Sequence, residues 1–85
     1  MEQYLLLYRS VTHAQRVNVA LERMGISGRI VRPPLGLSDK GCGYAVRIDA
    51  AYPDAAIAQL RAMKLTPERV YRVGHDGKYR EILSL

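Results

Sequence analysis

The strongest constraint on the fold is that two halves of the chain repeat one order of patterns, namely strand, helix and strand. Residues 4–8, YLLLY, form an apolar run that is too short for a helix and typical of a buried central strand. Ser10 is a good helix N-cap, and apolar residues then recur at helical spacing until Gly25, which predicts the end of this helix. Residues 27–32 predict a second strand, and Pro33 ends it.

The second half of the chain repeats this order. Residues 43–48 alternate as expected for a strand with one face on a core. Pro53 suits the first position of a helix, which is predicted to end near Lys64. The apolar stripe of this helix comprises Ala56, Ile57, Leu60 and Met63. Residues 68–73 then predict a fourth strand.

The order β-α-β-β-α-β predicts an α+β fold of the split βαβ or ferredoxin-like kind, with a four-stranded antiparallel sheet and both helices on one face. Right-handed connections place the third strand between the first and the second. Gly74 to Gly77 has the composition of a hairpin turn, so residues 78–83 allow an extra C-terminal edge strand. Because 85 residues are too few to divide a core in two, we predict one domain over 1–85, with residues 74–85 as a hairpin extension.

The segment SDKGCGYAV contains the only cysteine of the chain, Cys42, between Gly41 and Gly43. The predicted strand order brings the start of the third strand beside the end of the first, so we expect Cys42 to face Ser10. The residues alone leave two interpretations open. The glycines allow close approach to an exposed thiol, or they close a loop while Cys42 packs inward, since cysteine is among the most buried residue types.

The start of the first predicted helix, Ser10 to His13, would favour a thiolate at Cys42. A helix N-terminus carries a partial positive charge and unpaired N–H groups. Lys40 adds a cation, which draws the thiol pKa down from its reference value of about 8.5, whereas Asp39 opposes this change. His13 is a candidate base or hydrogen-bond partner, although a histidine in a first helical turn is more often solvated.

Two segments of the chain are predicted to meet in this region, one at the start of the first helix and one before the third strand. They read Ser10-Val11-Thr12-His13 and Pro34-Leu35-Gly36-Leu37-Ser38-Asp39-Lys40-Gly41-Cys42-Gly43. They resemble a Ser-Thr-His type segment and a Pro-x-x-Leu-Ser-x-x-Cys-Gly loop that occur in a family of short bacterial and archaeal proteins described as selenium or sulfur carrier-like. The resemblance extends approximately from Tyr4 to Val73.

This resemblance implies that Cys42 accepts sulfur or selenium from a donor protein, holds it as a persulfide or selenopersulfide, and passes it to an acceptor protein. A carrier of this kind needs an accessible, partly ionised thiol and does not need a deep substrate pocket. The residues expected to support Cys42 are Ser10, Thr12, His13, Lys40, Gly41 and Gly43.

An alternative interpretation is an RNA-binding or protein-interaction module in which Cys42 is structural. Tyr4, Tyr8 and Tyr44 would stack on bases if they lay on the open face of the sheet. The run of glycines and aromatic residues typical of RNA-recognition domains is missing from CGYAVRI, so we do not predict nucleic acid as a partner. Apolar residues of YLLLY that face away from the helices would also suit a homodimer through the open sheet face.

The composition narrows the class of protein. Thirteen Lys and Arg against eight acidic residues give a net charge of +5, which favours anionic partners. One cysteine cannot form an internal disulfide, and the sequence lacks the ligand spacing of a structural zinc site, so neither a metal nor a cofactor is predicted. No apolar run approaches the roughly 18 residues of a membrane span, so we expect a cytoplasmic protein without membrane contact.

Overall fold

The computed structural model describes residues 2–34, 37, 43–49 and 53–84. Within them the chain forms two helices and a five-stranded antiparallel sheet, so the fold is α+β. The elements in chain order are β1 (Gln3–Tyr8), α1 (Val11–Arg23), β2 (Gly28–Val31), β3 (Tyr44–Asp49), α2 (Pro53–Ala62), β4 (Arg69–Val73) and β5 (Tyr79–Ser84).

The sheet order is β2-β3-β1-β4-β5, and every neighbouring pair is antiparallel. The predicted position of β3 between β1 and β2 is therefore confirmed. The C-terminal hairpin adds β5 beside β4, so the sheet has the extra edge strand that the sequence allowed, in addition to the four predicted strands. Its register pairs Val73 with Tyr79 and shifts between Val70 and Tyr71.

Both helices pack on the same face of the sheet. Ala14, Val17 and Leu21 of α1 and Leu60 of α2 are buried there, which fits the helical spacing of apolar residues in both segments. The strand residues beneath them alternate along each strand, as the pleat requires. They comprise Tyr4, Leu6, Tyr8, Val46, Ile48 and Val70.

Local sequence signals fix both ends of α1. The Ser10 hydroxyl accepts hydrogen bonds from the first turn of the helix, which makes Ser10 the predicted N-cap. At the other end, Gly25 has a φ of +80°, and its N–H donates to the carbonyl of Glu22. The Ile26 N–H donates to the carbonyl of Leu21 at 2.9 Å, and the Ile26 side chain packs against the core. This is a Schellman motif, so the helix ends where Gly25 predicts.

The end of α2 has the same hydrogen bonding without a glycine. The Leu65 N–H donates to the carbonyl of Leu60 at 2.8 Å, and Lys64 takes the left-handed position with a φ of +61°. Of the predicted apolar stripe, Ala56, Ile57 and Leu60 are buried, whereas Met63 is 48% exposed. It lies beyond the last helical residue, so its direction is set by the turn into Leu65 and not by helical spacing.

The face of the sheet opposite the helices also contains buried apolar residues. Leu5 and Leu7 of β1 are 1% and 0% exposed, and Tyr71 lies against them. Leu37, from the segment between β2 and β3, packs against this cluster. The predicted homodimer depended on these leucines being uncovered. They are buried within one chain and therefore do not require a partner.

Candidate functional site

The ladder between β1 and β3 determines which residues meet at the end of the sheet that leads into α1. Its six pairs run from Gln3 with Asp49 to Tyr8 with Tyr44. Gly43 directly precedes Tyr44, the first residue of β3. α1 begins at Val11, three residues after Tyr8. The start of β3 and the start of α1 therefore lie at the same end of the sheet, as the strand order predicts.

The first turn of α1 is capped by Ser10. Its Oγ accepts hydrogen bonds from the Thr12 N–H at 3.1 Å and from the His13 N–H at 3.4 Å. The side chains of Thr12 and His13 are exposed. Two of the N–H groups expected to stabilise a thiolate are therefore already bonded to Ser10. None of the described residues accepts a hydrogen bond from the Val11 N–H, which belongs to the same turn.

Arg32 is a cation at this end of the sheet that the sequence reasoning missed. Its Nη1 donates a 3.3 Å hydrogen bond to the carbonyl of Gly43, and its guanidinium lies 5.1 Å from the centre of the Tyr44 ring. Both contacts hold a positive charge next to the residue that follows Cys42 in the sequence. Arg32 comes one residue after Val31, the last residue of β2 to pair with β3, so the register of this pair brings it to the start of β3.

Of the seven predicted site residues, four belong to the part of the chain that the structure describes. Ser10, Thr12 and His13 lie together in the first turn of α1, and Gly43 lies at the start of β3. The predictions for Lys40, Gly41 and Cys42 fall outside the described residues.

Gly43 lies at the start of β3, directly after the predicted site cysteine in the sequence. Among the described residues, a Cβ on Gly43 would have one neighbour within 4 Å, Arg32 Nη1 at 4.0 Å, which is an ordinary contact distance. Relative to the described residues, the missing side chain of Gly43 therefore leaves open space beside Arg32.

The tyrosines proposed for base stacking are not on the open face. Tyr4 and Tyr8 are 5% and 2% exposed and lie under the helices, and Tyr44 packs against the same cluster. Burial raises the pKa of the Tyr8 phenol well above its ordinary value. The pKa of Tyr4 is also raised, mainly by its hydrogen bond to Glu2 and to a smaller extent by burial. The arrangement on which the RNA-binding alternative depended is therefore absent.

The described residues include no group of three or more His, Cys, Asp or Glu side chains that could hold a metal ion. Over that same part of the chain, neither helix has the length and apolar character needed to cross a membrane.

Comparison with known proteins gives one result that bears on this site. Residues 3–72 match the family described as "Putative Se/S carrier protein-like". Comparisons with curated proteins and with solved structures gave no match. The matched region includes both segments of the candidate site and stops before the β4–β5 turn. Because it covers most of the chain, this protein belongs to the Se/S carrier-like family.

Proposed function

We propose that this protein is a cytoplasmic sulfur or selenium carrier that holds the transferred atom on Cys42 and passes it to an acceptor protein. The observation that carries the proposal is the family match over residues 3–72, which includes Cys42. Cys42 is the only cysteine in the sequence, so a thiol-based carrier has no other residue to use. The family description supports a carrier, and the choice of Cys42 is our inference.

We further propose that residues 1–85 form one ferredoxin-like domain and that residues 74–85 are an extension of it. The sheet order β2-β3-β1-β4, with both helices on one face, supports the first part. The end of the family match at residue 72 supports the second, since the turn into β5 begins just beyond it.

The register of the central ladder supports a position for Cys42 near the start of α1. Tyr8 pairs with Tyr44. Cys42 is two residues before Tyr44, and Ser10 is two residues after Tyr8. Continuing the antiparallel register by two positions would therefore bring Cys42 opposite Ser10.

The charges of this region would favour a thiolate over a thiol. Arg32 is held at Gly43 by its hydrogen bond, and α1 presents the positive end of its dipole. Lys40 would add a second cation, and the absence of a side chain at Gly41 and Gly43 would let a partner reach the sulfur. Thr12 and His13 would contribute hydrogen-bonding side chains at the rim.

The proposed loading step balances without an added oxidant or reductant. The Cys42 thiolate attacks the terminal sulfur of a donor persulfide, R–S–SH. A bond forms between Cys42 Sγ and that sulfur while the S–S bond of the donor breaks. The donor leaves as the thiolate R–S⁻, and the proton stays on the transferred sulfur, so the product is Cys42–S–SH. Transfer to the acceptor is the same exchange with Cys42 as the leaving thiolate.

Intact-protein mass spectrometry after incubation with cysteine persulfide tests this proposal. The expected product is the chain with one added sulfur, which Cys42→Ala abolishes and which alkylation of Cys42 before incubation blocks. Cys42→Ser is a second control, because its hydroxyl is close in size to the thiol. Failure of several persulfide and selenopersulfide donors to load a folded chain would refute the carrier function.

A further inference from the structure

We propose that the outer face of α1 docks an acidic amphipathic helix of the protein that exchanges sulfur with this chain. The surface is a groove of about 550 Å³ between α1 and the turn that follows α2. We call it the α1 groove. It is lined by Thr12, Gln15, Arg16, Val19, Ala20, Arg23, Met63 and Leu65. This inference rests on the proposed function, because it identifies the partner's docking surface.

The floor of the α1 groove is apolar and uncovered. Val19 is 50% exposed and Met63 is 48% exposed, which are the two highest values among the large apolar side chains described. Both line the groove, Val19 from the middle of α1 and Met63 from the residue after α2. Methionine adapts its shape to different partners, and exposed apolar side chains grouped in one groove mark interaction sites.

The rim of the groove carries one sign of charge. Arg16 and Arg23 are exposed on the same stripe of α1, and none of the described lining residues is acidic. In the described part of the chain, no carboxylate lies within ion-pair distance of either arginine. Arginine and methionine are enriched at the centres of protein interfaces, and an unpaired cationic rim is complementary to carboxylates.

The shape of the groove favours a helix as the occupant. The lining residues of α1 extend from Thr12 to Arg23, about 16 Å along the axis at 1.5 Å per residue. This length matches three turns of a partner helix, whose apolar stripe would meet Val19 and Met63 while acidic residues flank it. A second copy of this chain fits poorly, because it would bring its own Arg16 and Arg23 into a chain of net charge +5.

One end of the groove lies at the candidate site. Thr12 lines the groove and belongs to the first turn of α1, whose cap is Ser10. A helix seated along α1 would therefore bring the residues beyond its end to the region where we propose Cys42. Docking and sulfur transfer would use adjacent surfaces without sharing a side chain that performs the exchange.

Methyl NMR of the full chain with a designed peptide tests the inference. The probe is an 18-residue helical peptide with leucine at positions i, i+3, i+4 and i+7 and glutamate on its flanks. A matched peptide has lysine in place of every glutamate. We expect the acidic peptide to shift the methyl signals of Val19 and Met63, and the lysine peptide to leave them unchanged.

Two charge-reversal variants provide the matched comparison. Arg16→Glu with Arg23→Glu should weaken binding of the acidic peptide at least tenfold, roughly what two lost charge pairs cost an interface. Arg29→Glu with Arg61→Glu makes the same charge change at exposed positions outside the groove and should weaken binding less than threefold. Circular dichroism confirms that each variant folds.

The inference is overturned if both peptides shift the same signals, if the shifts map to the open sheet face around Tyr71, or if the two double variants lose affinity equally. Shifts of Val19 and Met63 on dilution of the chain alone would identify a second copy as the occupant and would also overturn it. Loading from cysteine persulfide is measured separately. If loading fails while Cys42→Ala still binds the acidic peptide, the carrier function is wrong and the docking surface remains.

Discussion

The hydroxyl of Tyr8 donates a 2.7 Å hydrogen bond to the carbonyl of Leu65, which lies 57 residues further along the chain. This contact joins the last residue of β1 to the turn that ends α2, and it is buried. It therefore connects the strand next to the candidate site with the second half of the fold, and it satisfies a polar group that burial would otherwise make costly.

Replacing Tyr8 with Phe should lower the free energy of unfolding by about 1–3 kcal/mol, because the Leu65 carbonyl would be left buried without its donor. The effect should depend on pH. Burial raises the pKa of Tyr8, so the folded chain keeps a proton that the unfolded chain loses above about pH 10. The stabilisation that comes from the protonated Tyr8 phenol is therefore fully present below about pH 10 and decreases as the pH rises above it.

Urea unfolding of both proteins between pH 7 and pH 11 checks this. The wild-type midpoint should fall more steeply above pH 10 than that of Tyr8→Phe, so that the two curves converge. Parallel curves would show that the Tyr8 phenol is not the titrating group.

Ser10→Ala should destabilise the chain by about 1 kcal/mol, because Thr12 and His13 lose the acceptor for their N–H groups. Ser10→Asp should retain the cap and the stability, since aspartate is an equally good N-cap. Thr12→Ala, which removes an exposed side chain, should change the unfolding free energy by less than about 0.5 kcal/mol. Thermal unfolding of the three variants measures these differences.

The Ser10→Asp variant also tests the proposed position of Cys42. A carboxylate at residue 10 would disfavour a nearby thiolate, so iodoacetamide should alkylate Cys42 more slowly in the folded variant than in the wild type. An unchanged rate in a variant of normal stability would separate Cys42 from the start of α1.

Lys64→Gly should stabilise the chain by about 1 kcal/mol, because Lys64 has a φ of +61° and glycine takes this conformation without the steric cost of a Cβ. The matched change is Gly25→Ala, which should destabilise by a similar amount. No atom of the described residues lies within 4 Å of a Cβ at Gly25, so the backbone angle accounts for the cost. Chemical unfolding gives both values. A destabilised Lys64→Gly would mean that the lysine side chain contributes more than its backbone costs.

Arg32→Ala should slow the alkylation of Cys42 about threefold at neutral pH, the effect of roughly half a pKa unit on a thiolate population. The physical reason is the loss of the guanidinium held at the Gly43 carbonyl. Arg29→Ala removes the same charge from β2 three residues earlier and should have a smaller effect. Equal rates in the two variants would indicate a response to net charge and not to a cation next to Cys42.

Signals confined to a few neighbouring residues were the most predictable part of this fold. Ser10 and Gly25 fix the ends of α1 through hydrogen bonds within one turn. The alternation in YLLLY separates Tyr4 and Tyr8 from Leu5 and Leu7, but it does not say which set faces the helices. Both sets are apolar enough to be buried, so only the tertiary structure decides.

Features that the sequence did not reveal depend on contacts or turns outside the local pattern. Arg32 reaches Gly43 because β2 and β3 pair in one particular register, and the length of the loop between them hides that register from the sequence. Met63 continues the spacing of the α2 stripe, yet the helix ends before it because the chain turns at Lys64. A periodic pattern cannot show that a non-glycine residue will take the left-handed conformation.

The hairpin at the end of the chain has a consequence for how the protein behaves at high concentration. The family match ends at residue 72, so the matched region alone would leave β4 as the outermost strand, with one row of its N–H and C=O groups unpaired. Such an edge is a template for pairing with another chain. β5 occupies it, and arginines at 72 and 80 face each other across the new pair. The hairpin thus moves this edge of the sheet from β4 to β5, where the exposed charges of Arg80 and Glu81 disfavour pairing with another chain.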